Sequence, residues 1–128
     1  LMILPYTNQL KMPRLKTSNS LSVKRWMESA GQLAIPNDEQ ACDLQMVFIE
    51  EEFYELLHAY NNLEREDVIK EACDVIWVTY GLLHAMGVNI DEAFGRVSDS
   101  NHSKIPFTFK NGKVQKGPNY KKPDLKEL

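Results

Sequence analysis

The amino-acid sequence predicts an all-α domain of four helices with a small C-terminal β-hairpin and an extended tail. The chain has 128 residues, which fits one domain, and 43% of them are apolar, which is enough for a hydrophobic core. Residues 37–60 contain neither Gly nor Pro and show a helical repeat of apolar residues. Asn111-Gly112, the strongest short hairpin signal, separates two segments with strand character.

The N-terminal part is predicted to be an arm followed by a short helix. Residues 1–20 are polar, contain two prolines and are expected to be extended. A single domain is expected over residues 21–128. Its first helix has helical spacing of apolar residues over 21–30, and Gly31 is expected to end it.

Two long central helices follow. Asn37 is a good N-cap, Gln stands three residues later, and the uninterrupted pattern continues to Tyr60. A short turn over residues 61–65 leads to a helix predicted from about Glu66 to Met86. Gly87 is expected to end that helix.

The C-terminal part is predicted to contain one more helix and the hairpin. Asn89 is an N-cap candidate, with Glu three residues later, for a helix that runs to about Ser98. Residues 107–116 are expected to form the hairpin, within a basic tail over residues 101–128.

The formal net charge of −3 conceals an uneven distribution. Residues 1–30 carry five basic and one acidic residue (+4), residues 31–100 three and fifteen (−12), and residues 101–128 seven and two (+5). An acidic centre therefore lies between two basic ends. The −12 centre opposes a polyanion, so the lysines and aromatics of the tail are not expected to bind nucleic acid.

The cysteines and the apolar runs predict a cytoplasmic protein. Cys42 and Cys73 are too few for a disulfide framework and are expected to be buried free thiols in a reducing cytosol. No apolar run approaches the ~20 residues that a membrane-spanning helix needs.

Three carboxylates of the first long helix share one face. At ~100° per residue, Glu51, Glu52 and Glu55 fall within about 100° of one another, between apolar residues one turn away on each side. Glu50 falls on the opposite side and is expected to be solvated.

The second long helix adds Glu71 and Asp74, which share a face at spacing i, i+3. A short turn makes the two helices antiparallel neighbours. If the hairpin folds about Leu63, Glu55 stands level with Glu71 and Glu52 with Asp74, so four carboxylates converge.

Converging carboxylates repel one another unless a cation or protons join them. An all-oxygen site suits Mg²⁺, with Mn²⁺ as the other candidate. The plain alternative is a solvated acidic face. Glu55-x-x-His58 resembles half of a di-iron motif, but no second such pair exists, so a di-iron site is not expected.

Two acidic segments, Glu51-Glu52-x-x-Glu55 and Glu71-x-x-Asp74, together carry a resemblance to a known family. They are similar to the signature of the MazG-like all-α nucleoside triphosphate pyrophosphohydrolases, which are related to phosphoribosyl-ATP pyrophosphohydrolase and to the helical dUTPases. The segment Ser100-Asn101-x-x-Lys104 and the Lys/Tyr/Pro-rich tail resemble the phage and bacterial members.

The resemblance implies hydrolysis of a nucleoside triphosphate between its α and β phosphates, giving the monophosphate and pyrophosphate. Mg²⁺ would be held by the four facing acids, and Glu51 would orient or deprotonate the attacking water, although Glu51 and Glu52 could exchange these roles. Side chains after the fourth helix would bind the phosphates: Asn101, Lys104, Lys113, Lys116 and Tyr120.

The long helices are apolar over most of their circumference, so a homodimer or a dimer-of-dimers tetramer is expected, as the resemblance also implies. Trp26, Trp77 and Tyr80 could stack on a base, although a core or interface position is the simpler interpretation. Gly81 inside a helix would permit close helix approach. The alternative function is a non-catalytic dimeric helical module that binds nucleotide or a partner.

Overall fold

The computed structural model describes residues 18–34 and 38–128. Within these ranges it confirms the predicted all-α fold with a small C-terminal hairpin. The predicted cap Asn37 lies outside the described residues, as does the predicted arm up to residue 17. The described elements are α1 (Asn19–Ser29), a short 3₁₀ helix (Gln32–Ala34), α2 (Asp38–Asn61), α3 (Arg65–Ala85), α4 (Ile90–His102), β1 (Thr108–Lys110) and β2 (Lys113–Gln115).

Helix α1 begins two residues before the predicted start because Ser18 caps it. The Ser18 hydroxyl oxygen accepts a hydrogen bond from the Leu21 amide at 3.1 Å. The helix ends as predicted before Gly31, whose φ of +73° is readily adopted only by glycine. Val23 and Met27 are its buried side chains.

Helices α2 and α3 form an antiparallel hairpin around Leu63. Leu63 has a φ of +57° and a side chain that is 84% exposed, so it serves the turn and not the core. The buried residues of α2 are Ala41, Gln45 and Ala59. The predicted close approach at Gly81 is confirmed, because a Cβ added there would collide with the Gln45 carboxamide oxygen.

The chain divides into two compact units, the first ending at Gly87 and the second comprising Val88–Leu128. In the second unit the Asn89 side chain caps α4 as predicted, accepting from the Glu92 amide at 3.1 Å. Helix α4 runs four residues beyond the predicted end at Ser98. Its last turn is held in part by buried Ser100, which donates to the Lys121 carbonyl at 2.7 Å.

The hairpin forms as its turn residues predict. Asn111 and Gly112 have φ values of +54° and +74°, the pair of left-handed residues that a two-residue type I′ turn requires. Phe109 pairs with Val114 in the antiparallel register. The amide of Gly117 then donates to the Lys104 carbonyl at 3.0 Å, which joins the chain after the hairpin to the end of α4.

The expectation that both cysteines are buried is wrong. Cys42 is half-buried, whereas Cys73 is exposed, beside Ile76, which is 55% exposed. The single chain leaves this face of α3 uncovered. Both thiols are free. In the described part of the chain, none of the helices has the length and apolar content to cross a membrane.

Candidate metal centre

Three acids from the two long helices come together between them. Carboxylate oxygens of Glu52 and Glu55 on α2 and of Glu71 on α3 all lie within 4.8 Å of one another. We call these three residues the carboxylate cluster. They are three of the four metal ligands predicted from the sequence.

The local fold explains this convergence. Glu55 stands eight residues before Leu63 and Glu71 eight residues after it, so the antiparallel hairpin places them at the same level. Glu52 lies one turn further along α2, on the same face as Glu55. The cluster is therefore a direct consequence of where the turn falls.

The cluster leaves two acceptors without partners. Glu52 and Glu71 are half-buried, and the Oε2 atom of each is buried with no hydrogen-bond partner among the described residues. Burial raises the pKa of the Glu52 carboxyl above its ordinary value, and the charges of Glu55, Asp74 and Glu71 raise this pKa further. The site thus favours a proton or a cation over a bare carboxylate.

The fourth predicted ligand, Asp74, stands beside the cluster and is engaged by a lysine. Its charge is close enough to raise the pKa of Glu52, but it is not among the three that lie within 4.8 Å of one another. Its Oδ2 atom is 2.8 Å from Nζ of Lys70, and the same Nζ is 3.2 Å from Oε1 of Glu71. The hydrogen bond to Asp74, followed by that to Glu71, raises the pKa of the Lys70 ammonium.

Sequence reasoning assigned no role to Lys70. The signal was present, since Lys70 and Asp74 stand at the i, i+4 spacing of a helix ion pair. What the sequence could not show is that this pair borders the cluster.

A cavity of about 500 Å³ adjoins the acids. Glu51, Glu52 and Asp74 line part of its wall. Glu51 is exposed on α2, next to the cluster, and Glu50 is exposed as predicted. The predicted catalytic residue therefore faces a space large enough for part of a small-molecule ligand.

The rest of the cavity wall is aromatic and amide-bearing. Trp26 of α1 packs edge-to-face on Trp77 of α3, with ring centroids 5.9 Å apart and an interplanar angle of 81°. Trp26 is 50% exposed, so it is not a core residue of the single chain. Gln45 Nε2 donates to Gln32 Oε1 at 3.1 Å, and Gln45 is only 2% exposed.

Gln45 was missed by sequence reasoning. A glutamine inside an apolar helical repeat carries no sign that it will be buried. The indirect signal was Gly81, because a glycine in a helix interior leaves room for a side chain of the facing helix, and here that side chain is Gln45.

The predicted phosphate-binding residues all lie in the second unit. Asn101 is in the last turn of α4, and its carbonyl accepts from the Lys104 amide at 3.2 Å. After the hairpin, Nζ of Lys116 lies 4.5 Å from the centroid of the Tyr120 ring, in a cation–π contact. The structure thus brings Lys116 together with Tyr120, while Lys113 lies on β2.

Facing helices with a cluster of carboxylates between them define an all-α protein with a group of acids that could hold a metal ion. The pattern of the phosphoribosyl-ATP pyrophosphohydrolase family matches residues 35–101, just over half of the 128 residues. The chain therefore belongs to this family, a family of nucleotide pyrophosphohydrolases that fits the MazG-like all-α group. No curated protein matches the chain.

The matched segment contains both long helices and every acid of the site, but it ends at Asn101. The hairpin and the basic tail lie beyond it. The family match therefore supports a hydrolase of pyrophosphate bonds through the helical part of the chain.

Proposed function

We propose that the protein is a Mg²⁺-dependent nucleoside triphosphate pyrophosphohydrolase. Its substrate would be an NTP or a dNTP, cleaved between the α and β phosphates to the monophosphate and pyrophosphate. The observation that carries the proposal is the approach of Glu52, Glu55 and Glu71 within 4.8 Å, with two buried oxygens unpartnered. Membership of the family supports the same reaction type.

The donor set fits the proposed metal. Glu52, Glu55 and Glu71 offer hard oxygen ligands, which Mg²⁺ prefers and Mn²⁺ accepts, and the Oε2 atoms of Glu52 and Glu71 have no hydrogen-bond partner among the described residues. Asp74 would complete the set. When bound, Mg²⁺ would supply charge neutralisation for the phosphate oxygens.

Glu51 is the proposed general base. It lines the cavity and is not one of the three clustered acids, so its carboxylate is available to a water molecule. Water adds to a phosphorus of the α–β anhydride, the bridging P–O bond breaks, and Glu51 accepts the proton released by the water. Glu52 is the less suitable base because it is a member of the cluster.

The cavity is the proposed base site. Trp26 and Trp77 offer aromatic surface to a nucleobase, and half-buried Gln32 and buried Gln45 offer amide groups for its polar edge. We expect quenching of tryptophan fluorescence by the preferred nucleotide in a Trp77→Phe protein that retains Trp26. A Trp26→Ala protein should lose affinity for the nucleoside monophosphate product.

The second unit is the proposed source of phosphate ligands. Residues 101–128 carry seven basic and two acidic residues, and a triphosphate needs cations that offset its charge. The side chains proposed for this role are Asn101, Lys104, Lys113, Lys116 and Tyr120. Replacing Lys104 or Lys116 with Met should raise KM more than it lowers kcat.

The proposed assembly is a homodimer, or a tetramer built from two dimers. Large apolar side chains on both long helices are about half exposed in the single chain, and such a surface is typical of a subunit interface. Light scattering after size exclusion measures the mass directly. Residues that carry this argument are Met46, Val47, Phe53, Ile69 and Ile76.

The deciding experiment is a panel of NTPs and dNTPs with Mg²⁺, assayed for pyrophosphate release. Glu55→Ala should abolish turnover, and Glu50→Ala, an exposed acid on the same helix, should retain it. Absence of pyrophosphate release from every triphosphate of the panel would refute the proposed nucleoside triphosphate pyrophosphohydrolase activity. Tight nucleotide binding without pyrophosphate release would instead favour the non-catalytic dimeric module.

A further inference from the structure

Lys70 lies at the edge of the carboxylate cluster, where its ammonium contacts two acids. Its Nζ is 2.8 Å from Oδ2 of Asp74 and 3.2 Å from Oε1 of Glu71. Its side chain is 65% exposed, whereas that of Glu71 is 14% exposed. The ammonium therefore approaches from the solvent side, and Glu71 is the more buried of the two carboxylates that it contacts.

The contacts of Lys70 divide the oxygens of Glu71. Oε1 is engaged by the lysine, while Oε2 is buried and has no hydrogen-bond partner among the described residues. Asp74 has one oxygen on the same lysine. Glu71 of the cluster and the adjacent Asp74 are thus partly neutralised by a cation of the protein itself.

We propose that Lys70 is a tethered counter-cation of the metal centre. In the metal-free protein it offsets the charge of Asp74 and Glu71, and it competes with a divalent cation for the same two carboxylates. Lys70 is therefore a positioning residue that lowers metal affinity. The inference rests on the metal site of the proposed function.

The competition follows from two physical effects. A metal ion that recruits Asp74 must displace the ammonium from Oδ2, and an ammonium that remains nearby repels the metal. Both effects oppose metal binding, and salt weakens the second because Lys70 is largely exposed. The opposite expectation, that Lys70 assists metal binding by fixing the acids, predicts a change of the opposite sign.

The test measures binding of Mn²⁺ alone to the full chain, without nucleotide, by isothermal titration and by electron paramagnetic resonance. Lys70→Met, which keeps the length and removes the charge, should tighten Mn²⁺ binding by about three- to tenfold at low ionic strength, and less in high salt. Lys70→Arg should bind like the wild type. Lys24→Met, at an exposed lysine of α1, controls for the change in net charge.

A double-mutant cycle with Asp74→Asn shows whether Lys70 acts on metal binding through Asp74. If Asp74 is the carboxylate that Lys70 withholds, Lys70→Met should gain less than half as much affinity in the Asp74→Asn protein. Circular dichroism and the melting temperature of the metal-free proteins show whether each variant folds. Metal-free Lys70→Met should melt below the wild type, since its acids have lost a counter-charge.

The outcomes separate this inference from the proposed function. If the wild type binds Mn²⁺ and Lys70→Met binds no more tightly, the role of Lys70 is refuted and the metal site stands. If the wild type itself binds neither Mn²⁺ nor Mg²⁺, both are refuted. Equal tightening by Lys24→Met would reduce the effect to net charge and would also overturn the inference.

Discussion

Glu52→Gln should stabilise the metal-free protein while it removes the response to metal. Glu52 is half-buried, its Oε2 has no partner among the described residues, and burial together with three neighbouring acids raises its pKa. Glutamine has almost the same volume and no charge, and its amide donates where the carboxylate could only accept. The substitution therefore removes the free-energy cost of burying a charged, unpartnered carboxylate and leaves no cavity.

The size of the gain follows from the unpartnered oxygen. Leaving a buried acceptor unsatisfied costs about 1–3 kcal/mol, so we expect the free energy of unfolding to rise by about 1–2 kcal/mol. In a chain of 128 residues each kcal/mol corresponds to about 3–5 °C in Tm. The metal-free variant should then melt about 3–10 °C above the wild type at pH 7.

The pH dependence has a fixed sign. Because the folded state raises the Glu52 pKa, the ionised carboxylate destabilises the fold, and this penalty grows as the pH rises from the ordinary value of 4.5 through the raised pKa. The difference in Tm between variant and wild type should be near zero at pH 4.5 and below. It should reach its plateau at neutral pH.

Addition of Mg²⁺ should make the wild type more stable than Glu52→Gln, the reverse of their order without metal. A ligand at 100 times its Kd stabilises the state that binds it by about 2.7 kcal/mol. Only the wild type should gain this. Thermal melts monitored by circular dichroism, with and without Mg²⁺, measure both effects in one experiment.

Glu50→Gln is the matched control, since the same substitution is made two residues away on an exposed position of α2. Its free energy of unfolding should change by no more than the ±0.5 kcal/mol usual for surface sites, and it should keep the metal response. If Glu52→Gln gave no more stability than Glu50→Gln at pH 7, the electrostatic argument would be wrong. An unchanged metal response would remove Glu52 from the ligands.

Two further substitutions test the fold around the site. Gly81→Ala should destabilise by about 1–2 kcal/mol in urea denaturation, because its Cβ would displace the buried carboxamide of Gln45 from its hydrogen bond with Gln32, a loss larger than the gain in helix propensity. Gly95→Ala in α4, with open space around its Cβ, should stabilise by up to about 1 kcal/mol, and equal effects at the two glycines would contradict the packing. Ser100→Ala should cost about 1 kcal/mol and speed amide exchange near Lys121, and unchanged exchange would show that the tail is held elsewhere.

Local signals in the sequence predicted the helices and the carboxylate register. Caps such as Asn89, the terminating Gly31 and the Asn111-Gly112 turn act over a few residues, so they can be identified in the printed sequence. The convergence of Glu55 with Glu71 needed one more step, the position of the turn at Leu63. Short loops make that step reliable because they leave the helices no freedom of register.

Other features depend on contacts between residues far apart in the sequence. The cavity exists because α1 packs on α3 through Trp26 and Trp77, and no periodicity of either helix specifies that contact. Gln45 is buried because it faces Gly81. Asp74 stands beside the cluster with Oδ2 on the Lys70 ammonium, a choice of side-chain conformation that a helical wheel does not contain.

The carboxylate cluster is costly for the fold, and this is an argument for its function. Leucine at positions 52 and 71 would bury apolar surface between α2 and α3, whereas glutamate leaves two buried oxygens unpartnered. Lys70 offsets part of the charge from the solvent side only. Local violations of otherwise consistent packing concentrate at functional sites, where a ligand supplies what the fold lacks. A divalent cation held by these acids would offset that cost, so the instability predicted for the metal-free protein and the proposed catalysis would have the same physical origin.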